Sequence, residues 1–181
     1  MWYVTQTSVD KEYESIEKCR RALDESVVSR IFTPVSEMMK KYQGEWHITN
    51  SVLFPGYIFL ESDTDSRTLE KLLWRIPGVV TPVKIGGGFN PITKEEEIFL
   101  REMMDENYHV RFSTGYIVDN QLVIKHGPLD GKTALVRKID RHKRLAMMDV
   151  SILQETKIVK VGLEVVAKLT GEEYAQMKSS A

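Results

Sequence analysis

Hydrophobic and polar positions at the start of the chain follow first a strand pattern and then a helix pattern. Apolar and β-branched residues over Trp2–Thr7 predict an opening strand. A helix is expected over residues 11–24, and Asp10 is suited to cap it. Four apolar residues recur there at helical spacing and predict one buried face: Tyr13, Ile16, Cys19 and Leu23.

The same two patterns continue in short segments up to residue 106. The predicted elements are a strand over 27–35, a hairpin or mobile loop over 37–50, a strand over 52–60, a helix from 65 or 66 to 76, a strand over 79–83 and a helix near 94–106. Asp65 or Ser66 is suited to cap the first of these helices, and Thr93 with the three glutamates at 95–97 is suited to open the second. Pro55 and Gly56 interrupt the predicted strand over 52–60, which indicates a bulge or an edge position. Strands and helices in this order predict an α+β sandwich, in which helices flank a mainly antiparallel sheet.

The C-terminal part of the chain carries a purely β pattern. Residues 107–121 show no sustained periodicity and are interpreted as a linker. Short strands are expected over 122–124, 134–139, 145–152, 157–161 and 165–168. Five short strands in so few residues predict a small β-barrel. The predicted domains are therefore 1–106, 107–121 as linker, 122–170 as barrel, and 171–181 as a frayed or disordered tail.

Charge separates the two halves more clearly than composition does. The 181 residues are 42% hydrophobic and 28% charged, with a net charge of −1, which is ordinary for a globular protein. Residues 1–107 hold 13 Lys and Arg against 18 Asp and Glu, whereas residues 108–181 hold 12 against 8. No apolar run is long enough for a membrane span, and the N-terminal residues Met1-Trp-Tyr-Val4 lack the charge pattern of a signal peptide. We therefore expect a cytoplasmic monomer whose basic half contacts nucleic acid.

Positive charge is concentrated between Lys125 and Arg144, where seven Lys and Arg accompany two Asp and two His. A Gly/Pro turn at 127–131 leads into a strand-like alternation that ends in four consecutive basic or imidazole residues. Like charges on one loop repel one another unless a partner neutralises them, so the segment predicts contact with RNA. The candidate RNA-binding residues are Lys125, His126, Lys132, Arg137, Lys138, Arg141, His142, Lys143 and Arg144.

The residue types that support catalysis or metal binding do not come together in this sequence. The single cysteine, Cys19, lies on an apolar helix face and is interpreted as a buried hydrophobic residue. The four histidines lack the spacing of metal ligands, and the glycines at 86–88 lack the strand and helix context of a phosphate loop. We therefore expect no enzyme activity, no metal and no cofactor.

Motifs in both halves resemble those of NusG-family transcription elongation factors. The N-terminal motifs are Trp2-Tyr-Val-Thr-Gln-Thr7, Leu53-Phe-Pro-Gly-Tyr-Ile-Phe-Leu60 and Pro77-Gly-Val79. Gly127-Pro-Leu-Asp-Gly131 and Val161-Gly-Leu-Glu-Val-Val166 resemble the C-terminal KOW barrel of the family. The resemblance implies an N-terminal NGN domain followed by an SH3-like KOW barrel.

The resemblance also implies a partner, bacterial RNA polymerase. Members of the family place an apolar patch of the N-terminal domain on the clamp helices of the largest subunit. Because alternate residues of a strand share a face, Tyr57 and Phe59 are expected to emerge on one side. The matching apolar positions are Phe54, Pro55, Tyr57 and Phe59, with Trp46 and Ile76 as neighbours. Arg67, Lys71 and Arg75 recur at one-turn spacing and are expected to meet the polymerase, upstream DNA or the non-template strand.

Two C-terminal motifs, Ile139-Asp-Arg-His-Lys-Arg144 and Val161–Val166, further resemble LoaP, a specialised antiterminator subgroup. That resemblance implies a processive antiterminator whose barrel binds an RNA hairpin in a nascent leader. General family members carry a phenylalanine where this chain has Leu153, which disfavours binding to Rho and the ribosome. Two alternatives remain: a general NusG-type factor with a protein-binding barrel, and a ribosome-associated RNA-binding protein.

Overall fold

A computed structural model of the chain describes residues 1–76 and 80–181. The helices are α1 (Glu12–Ala22), α2 (Ser66–Trp74), α3 (Lys94–Met103) and α4 (Gly171–Ser179). The strands are β1 (Trp2–Gln6), β2 (Arg30–Phe32), β3 (Val35–Tyr42), β4 (Glu45–Val52), β5 (Tyr57–Glu61), β6 (Thr81–Pro82), β7 (His109–Val110), β8 (Ser113–Val118), β9 (Gln121–His126), β10 (Val136–Asp140), β11 (Leu145–Ile152) and β12 (Glu155–Leu169). No helix in the described part of the chain is long and apolar enough to cross a bilayer.

The chain divides into two compact units that differ from the predicted domains. Unit 1 consists of Met1–Val35, Val52–Glu102 and Ser151–Thr156. Unit 2 consists of Ser36–Ser51, Met103–Val150 and Lys157–Ala181. The β3–β4 hairpin therefore falls in unit 2 with the C-terminal strands, although its sequence lies inside the interval predicted as the N-terminal domain.

Unit 1 is built on a four-stranded antiparallel sheet in the order β2-β5-β1-β6. Alternation along the central strands sends Tyr3, Ile58 and Leu60 into a buried cluster with residues of α1 and α2. Those helical residues are Ile16, Cys19, Leu69 and Leu73. The predicted antiparallel sheet with flanking helices is confirmed for this unit.

The first helix turns a different face inward from the one predicted at its N-terminal end. Ile16, Cys19 and Leu23 are buried as expected, but Tyr13 is 60% exposed. Glu12 is buried in its place, at 2% exposure, because its carboxylate has a hydrogen-bond partner inside unit 1. A polar interaction thus accounts for the one position at which the buried face departs from the predicted apolar pattern.

Two further helices of unit 1 begin where their capping residues predict. The Asp65 carboxylate accepts a hydrogen bond from the Thr68 amide at 3.0 Å, which caps α2. Thr93 and Glu96 form reciprocal bonds at the start of α3, with distances of 2.8 and 3.2 Å. Pro77-Gly78-Val79, predicted to end one element and begin the next, lies outside the described residues.

Unit 2 contains a five-stranded sheet in the order β10-β11-β12-β8-β9 and a smaller sheet in the order β4-β3-β7. The C-terminal β domain is confirmed, but two details of its prediction are wrong. The interval 107–121, expected to be a linker, holds β7 and β8, and β8 pairs in parallel with β12. The two strands expected over 157–168 form one continuous strand, because the single glycine between them, Gly162, keeps extended backbone.

Gly162 explains why this strand can run past the hairpin of unit 2. A Cβ atom at this position would collide with the Glu37 carbonyl oxygen of β3 and with the Phe112 ring. The absence of a side chain therefore lets the backbones approach closely. Residues 134 and 135, predicted as strand, lie in a 3₁₀ turn over Thr133–Leu135, and residues from 171 to 179 form a helix capped by Thr170.

Candidate functional site

The interruption at Pro55-Gly56 is a tight turn at the edge of unit 1. Tyr57 donates its backbone N–H to the Phe54 carbonyl at 3.1 Å, and Gly56 has a φ of 82°. Proline followed by a residue at positive φ is the signature of a type II turn. We call residues 54–57 the Pro-Gly turn.

Both backbone groups of Gly56 are tied to unit 1. Its N–H donates to Glu12 Oε1 at 2.6 Å, and its carbonyl accepts from the Thr7 amide at 2.8 Å. A Cβ atom on Gly56 would lie 3.2 Å from the Thr7 carbonyl oxygen. The buried Glu12 carboxylate therefore positions the Pro-Gly turn, a role that the sequence pattern alone did not indicate.

The expectation that Phe59 emerges beside Tyr57 is wrong. Phe59 is fully buried and Phe54 is 3% exposed, whereas Tyr57 is half-buried and Pro55 is exposed. The Phe59 ring lies 5.5 Å from Phe32 and 6.3 Å from Trp2, measured between ring centroids. Phe59 is in the middle of β5, where neighbouring strands supply aromatic rings that cover it, whereas Tyr57 begins the strand.

The other positions predicted around this surface divide between the interior and the exterior. Ile76 is 8% exposed and belongs to the core of unit 1, so it is not a surface neighbour. Trp46 lies on β4 and belongs to unit 2, whereas the Pro-Gly turn belongs to unit 1. Three basic side chains are exposed at or just beyond α2, with the spacing of one helix face: Arg67, Lys71 and Arg75.

In unit 2 the turn between β10 and β11 presents the densest group of predicted RNA-binding residues. Arg141, His142 and Lys143 are exposed, and we call residues 141–144 the basic turn. The Lys143 amide donates to Asp140 Oδ1 at 3.0 Å, and this bond lowers the pKa of Asp140 below its ordinary value. Asp140 thus remains a carboxylate that shapes the turn while lying beside its cations.

Arg144 is the fixed member of the basic turn. Its φ of 51° is a left-handed conformation uncommon for a residue with a side chain, and its carbonyl accepts from the Leu163 amide at 3.0 Å. Its guanidinium lies 4.3 Å from the centroid of the Trp46 ring and 3.3 Å from the Glu164 carboxylate. A cation–π contact and an ion pair therefore hold one side chain between the hairpin and β12.

The remaining predicted RNA-binding residues extend from the basic turn along β10. Arg137 and Lys138 are exposed on this strand; Arg137 falls at a register shift and its Nε lies 3.2 Å from Asp149 Oδ1. Lys125 and His126 are exposed at the end of β9, and Lys132, which is half-buried, precedes the 3₁₀ turn that contacts β9. With a rise of about 3.3 Å per residue, the two ends of β10 lie roughly 13 Å apart. The predicted residues therefore do not form a single cluster: those of β10 and the basic turn, which we call the basic track, follow one edge strand of the five-stranded sheet, whereas Lys125 and His126 lie on the other edge strand, β9.

Sequence reasoning did not identify the aromatic side chains that accompany this basic track. The β3–β4 hairpin carries Trp46 under Arg144, and its Tyr42 and His47 rings stack at a centroid distance of 4.1 Å. The turn that joins β3 to β4 is Gln43-Gly44, with φ values of 51° and 83°. Two residues at positive φ with glycine second are typical of a type I′ hairpin turn, so the local signal for the hairpin was present.

Comparison with family models identifies one family for this chain. The family model NusG, described as transcription termination factor nusG, matches residues 1–101. A curated relative from Borreliella burgdorferi, the transcription termination/antitermination protein NusG, is 24% identical over 180 residues, covering 93% of this chain and 98% of the relative. A solved structure concerning domain interaction in Thermotoga maritima NusG is 18% identical, with a TM-score of 0.49, and the match covers 91% of this chain and 93% of that one.

Proposed function

Because this chain belongs to the NusG family of transcription factors, we propose that it is a processive antitermination and elongation factor with a two-part mode of binding. In this proposal unit 1 binds bacterial RNA polymerase and unit 2 binds a structured RNA leader. The observation that carries the RNA part is the exposed basic track of unit 2, together with the aromatic hairpin beside it.

The polymerase surface that we propose is the Pro-Gly turn of unit 1. Its exposed Pro55 and half-buried Tyr57 form a rigid apolar surface, since both backbone groups of Gly56 are held. Rigid aromatic side chains of this kind often dominate the binding energy of interfaces. The buried rings of Phe54 and Phe59 support the turn from inside the unit. The clamp helices of the largest subunit are the partner that the family resemblance implies.

Binding of purified bacterial RNA polymerase tests this surface. The Tyr57→Ala variant is expected to bind about tenfold more weakly, whereas Tyr13→Ala, which removes an exposed tyrosine elsewhere in unit 1, should bind as the parent chain does. Equal affinity of both variants would remove the Pro-Gly turn from the proposal. Arg67, Lys71 and Arg75 are proposed to contact the polymerase or nearby DNA, so a triple alanine variant should lessen the salt sensitivity of complex formation.

The RNA partner that we propose is a hairpin in a nascent leader. In A-form RNA the deep major groove excludes side chains, so a basic track would use phosphates, 2′-hydroxyl groups and unpaired loop bases. Binding should then weaken with salt, and the slope of log affinity against log salt counts the phosphate contacts. Arg141 and Lys143 are exposed on the basic turn and suit this role.

A gel-shift titration with leader hairpins at several salt concentrations tests the RNA partner. Replacing Arg141 and Lys143 together by alanine should reduce the salt slope by about 2 and weaken binding. Replacing Lys11 and Lys18, exposed lysines on the first helix of unit 1, is the matched control with the same loss of charge. An unchanged slope in the Arg141/Lys143 variant, or no binding to any leader, would favour the alternative of a protein-binding barrel.

Terminator read-through on a template carrying the bound leader tests the antitermination step itself. We expect read-through to require both the leader and the Pro-Gly turn, as the resemblance to LoaP implies. Read-through that is equal with and without the leader would indicate a general elongation factor instead.

A further inference from the structure

A pocket beside the basic turn lies within unit 2 and has a volume of about 360 Å³. The residues that line it are Arg141, His142, Arg144, Glu164 and Val165. Guanidinium, imidazole and carboxylate groups therefore meet in one concave site, next to Trp46 of the hairpin. The pocket is continuous with the basic turn, because Arg141 and His142 of that turn also line it.

One of the two arginines that line the pocket, Arg144, has its guanidinium over an aromatic ring. Trp46 lies on one side of the Arg144 guanidinium at 4.3 Å, and the side chain of Arg144 is 27% exposed, so part of it faces solvent. Guanidinium planes and aromatic rings are the surfaces on which unpaired RNA bases stack. Because the arginine side chain is already held in place, a base that stacks on it binds without the loss of conformational entropy that ordering the arginine would require.

The carboxylate of the pocket selects among bases. Glu164 lies 3.3 Å from Arg144 and its side chain is 34% exposed, so it retains acceptor capacity toward the pocket. A carboxylate accepts hydrogen bonds and repels the carbonyl-rich edge of uracil. The Watson–Crick edge of guanine presents two adjacent N–H donors, which match the two oxygens of a carboxylate.

We propose that this pocket binds a single unpaired guanine of the RNA, stacked on the Arg144–Trp46 pair and hydrogen-bonded to Glu164. The inference rests on the proposed RNA binding of unit 2 and gives it a base-specific site. Arg141 and Lys143 contact the phosphates on either side of this guanine. The phosphates therefore position the strand while Glu164 reads the base.

Fluorescence anisotropy with the full chain and labelled nine-nucleotide RNAs tests the pocket. We expect U4-G-U4 to bind at least fivefold more tightly than U4-A-U4 or U9. Glu164→Gln should abolish this preference without weakening binding to U9, because it replaces one carboxylate oxygen with an amide donor. Arg144→Lys, which keeps the charge but lacks the planar guanidinium group, should weaken the binding of all the single-stranded RNAs.

Trp46→Ala and Tyr42→Ala form a matched pair on the same hairpin. Of these two aromatic residues, Trp46 lies against the Arg144 guanidinium, whereas Tyr42 stacks on His47. Trp46→Ala should lower affinity for U4-G-U4 at least fivefold, and Tyr42→Ala should leave it within twofold. Thermal unfolding of each variant shows whether a loss of RNA affinity is caused by destabilisation of the fold. Glu164→Gln tests the pocket independently, because it leaves the aromatic hairpin unchanged.

The outcomes distinguish this proposal from the one on which it rests. Salt-sensitive binding of leader hairpins with no preference for U4-G-U4 would overturn the guanine pocket and leave the proposed function intact. A guanine preference that disappears in Glu164→Gln, found in a parent chain that does not raise terminator read-through, would support the pocket and overturn antitermination. Failure to bind any RNA would overturn both.

Discussion

Removing the Glu12 carboxylate tests whether one buried hydrogen bond positions the proposed polymerase surface. Glu12 is 2% exposed, and its Oε1 accepts the Gly56 N–H at 2.6 Å. Glu12→Ala leaves that amide buried without its acceptor, while the Thr7 amide still holds the Gly56 carbonyl. The change should therefore weaken one side of the Pro-Gly turn and leave the other tied.

The size of the effect follows from the charge of the acceptor and its burial. Hydrogen bonds to charged groups contribute about 1.5–3 kcal/mol, so Glu12→Ala should cost about 2 kcal/mol of unfolding free energy. In a protein of this length, 1 kcal/mol corresponds to about 2–4 °C in Tm, which gives a decrease of roughly 4–8 °C. Glu12→Gln keeps a side-chain oxygen that accepts the bond, and its decrease should be less than half as large.

The assay combines thermal unfolding by circular dichroism with binding to RNA polymerase. Glu17→Ala is the matched control, because Glu17 lies on the same helix but is exposed and pairs with Arg20. Exposed pairs contribute about 0–1 kcal/mol, so the control should change Tm by no more than about 4 °C. Binding to polymerase should weaken in Glu12→Ala at temperatures where the chain is still folded.

Equal Tm values for the Glu12→Ala variant and the Glu17→Ala control would refute the assigned strength of this bond. A large decrease in Tm with unchanged polymerase affinity would show that Glu12 stabilises unit 1 without positioning the proposed surface. Either result would require another account of why a carboxylate is buried at this position.

Three further predictions concern pH, packing and thiol chemistry. Burial opposes ionisation of Glu37, but hydrogen bonds from the Phe112 amide and from Arg111 lower the pKa of Glu37 below its ordinary value of 4.5. The ionised carboxylate therefore stabilises the fold at neutral pH, and this contribution is lost as the pH falls through the lowered pKa. Glu37→Gln should accordingly flatten the acid decline in stability measured by urea unfolding. Gly162→Ala should lower Tm by several degrees, since a Cβ atom collides with Glu37 and Phe112. Burial raises the pKa of the Cys19 thiol to about 11, so alkylation by iodoacetamide at pH 8 should be far slower than that of a free cysteine peptide.

Each of these predictions has a clear contrary result. A Glu37→Gln variant with the same acid dependence as the parent would mean that this carboxylate does not link folding to pH. Unchanged Tm in Gly162→Ala, measured beside Gly88→Ala, where a Cβ atom would make only an ordinary contact of 3.4 Å with Asn90 Nδ2, would contradict the close approach of β12 and β3. Alkylation of Cys19 at the rate of the peptide would contradict its burial.

The sequence by itself determined the elements whose signals are local. Asp65 and Thr93 with Glu96 marked the starts of two helices, and alternation marked β11 over its full length. Such signals involve residues within a few positions of one another, so they survive without knowledge of the fold. The motifs at 2–7 and 53–60 likewise identified the family, because they fall within the stretch that the NusG family model matches.

Tertiary structure alone decided which faces of these elements are buried and which residues meet across the chain. The strand pattern placed Tyr57 and Phe59 on one side, but only the rings of Trp2 and Phe32 determined that Phe59 is covered. In the same way, the hairpin at 35–52 was readable locally, whereas its position beside Arg144 depends on partners far away in sequence. Periodicity describes one element at a time, and burial arises from the packing of several, so the candidate RNA site became complete only when the fold brought Trp46 and Arg144 together.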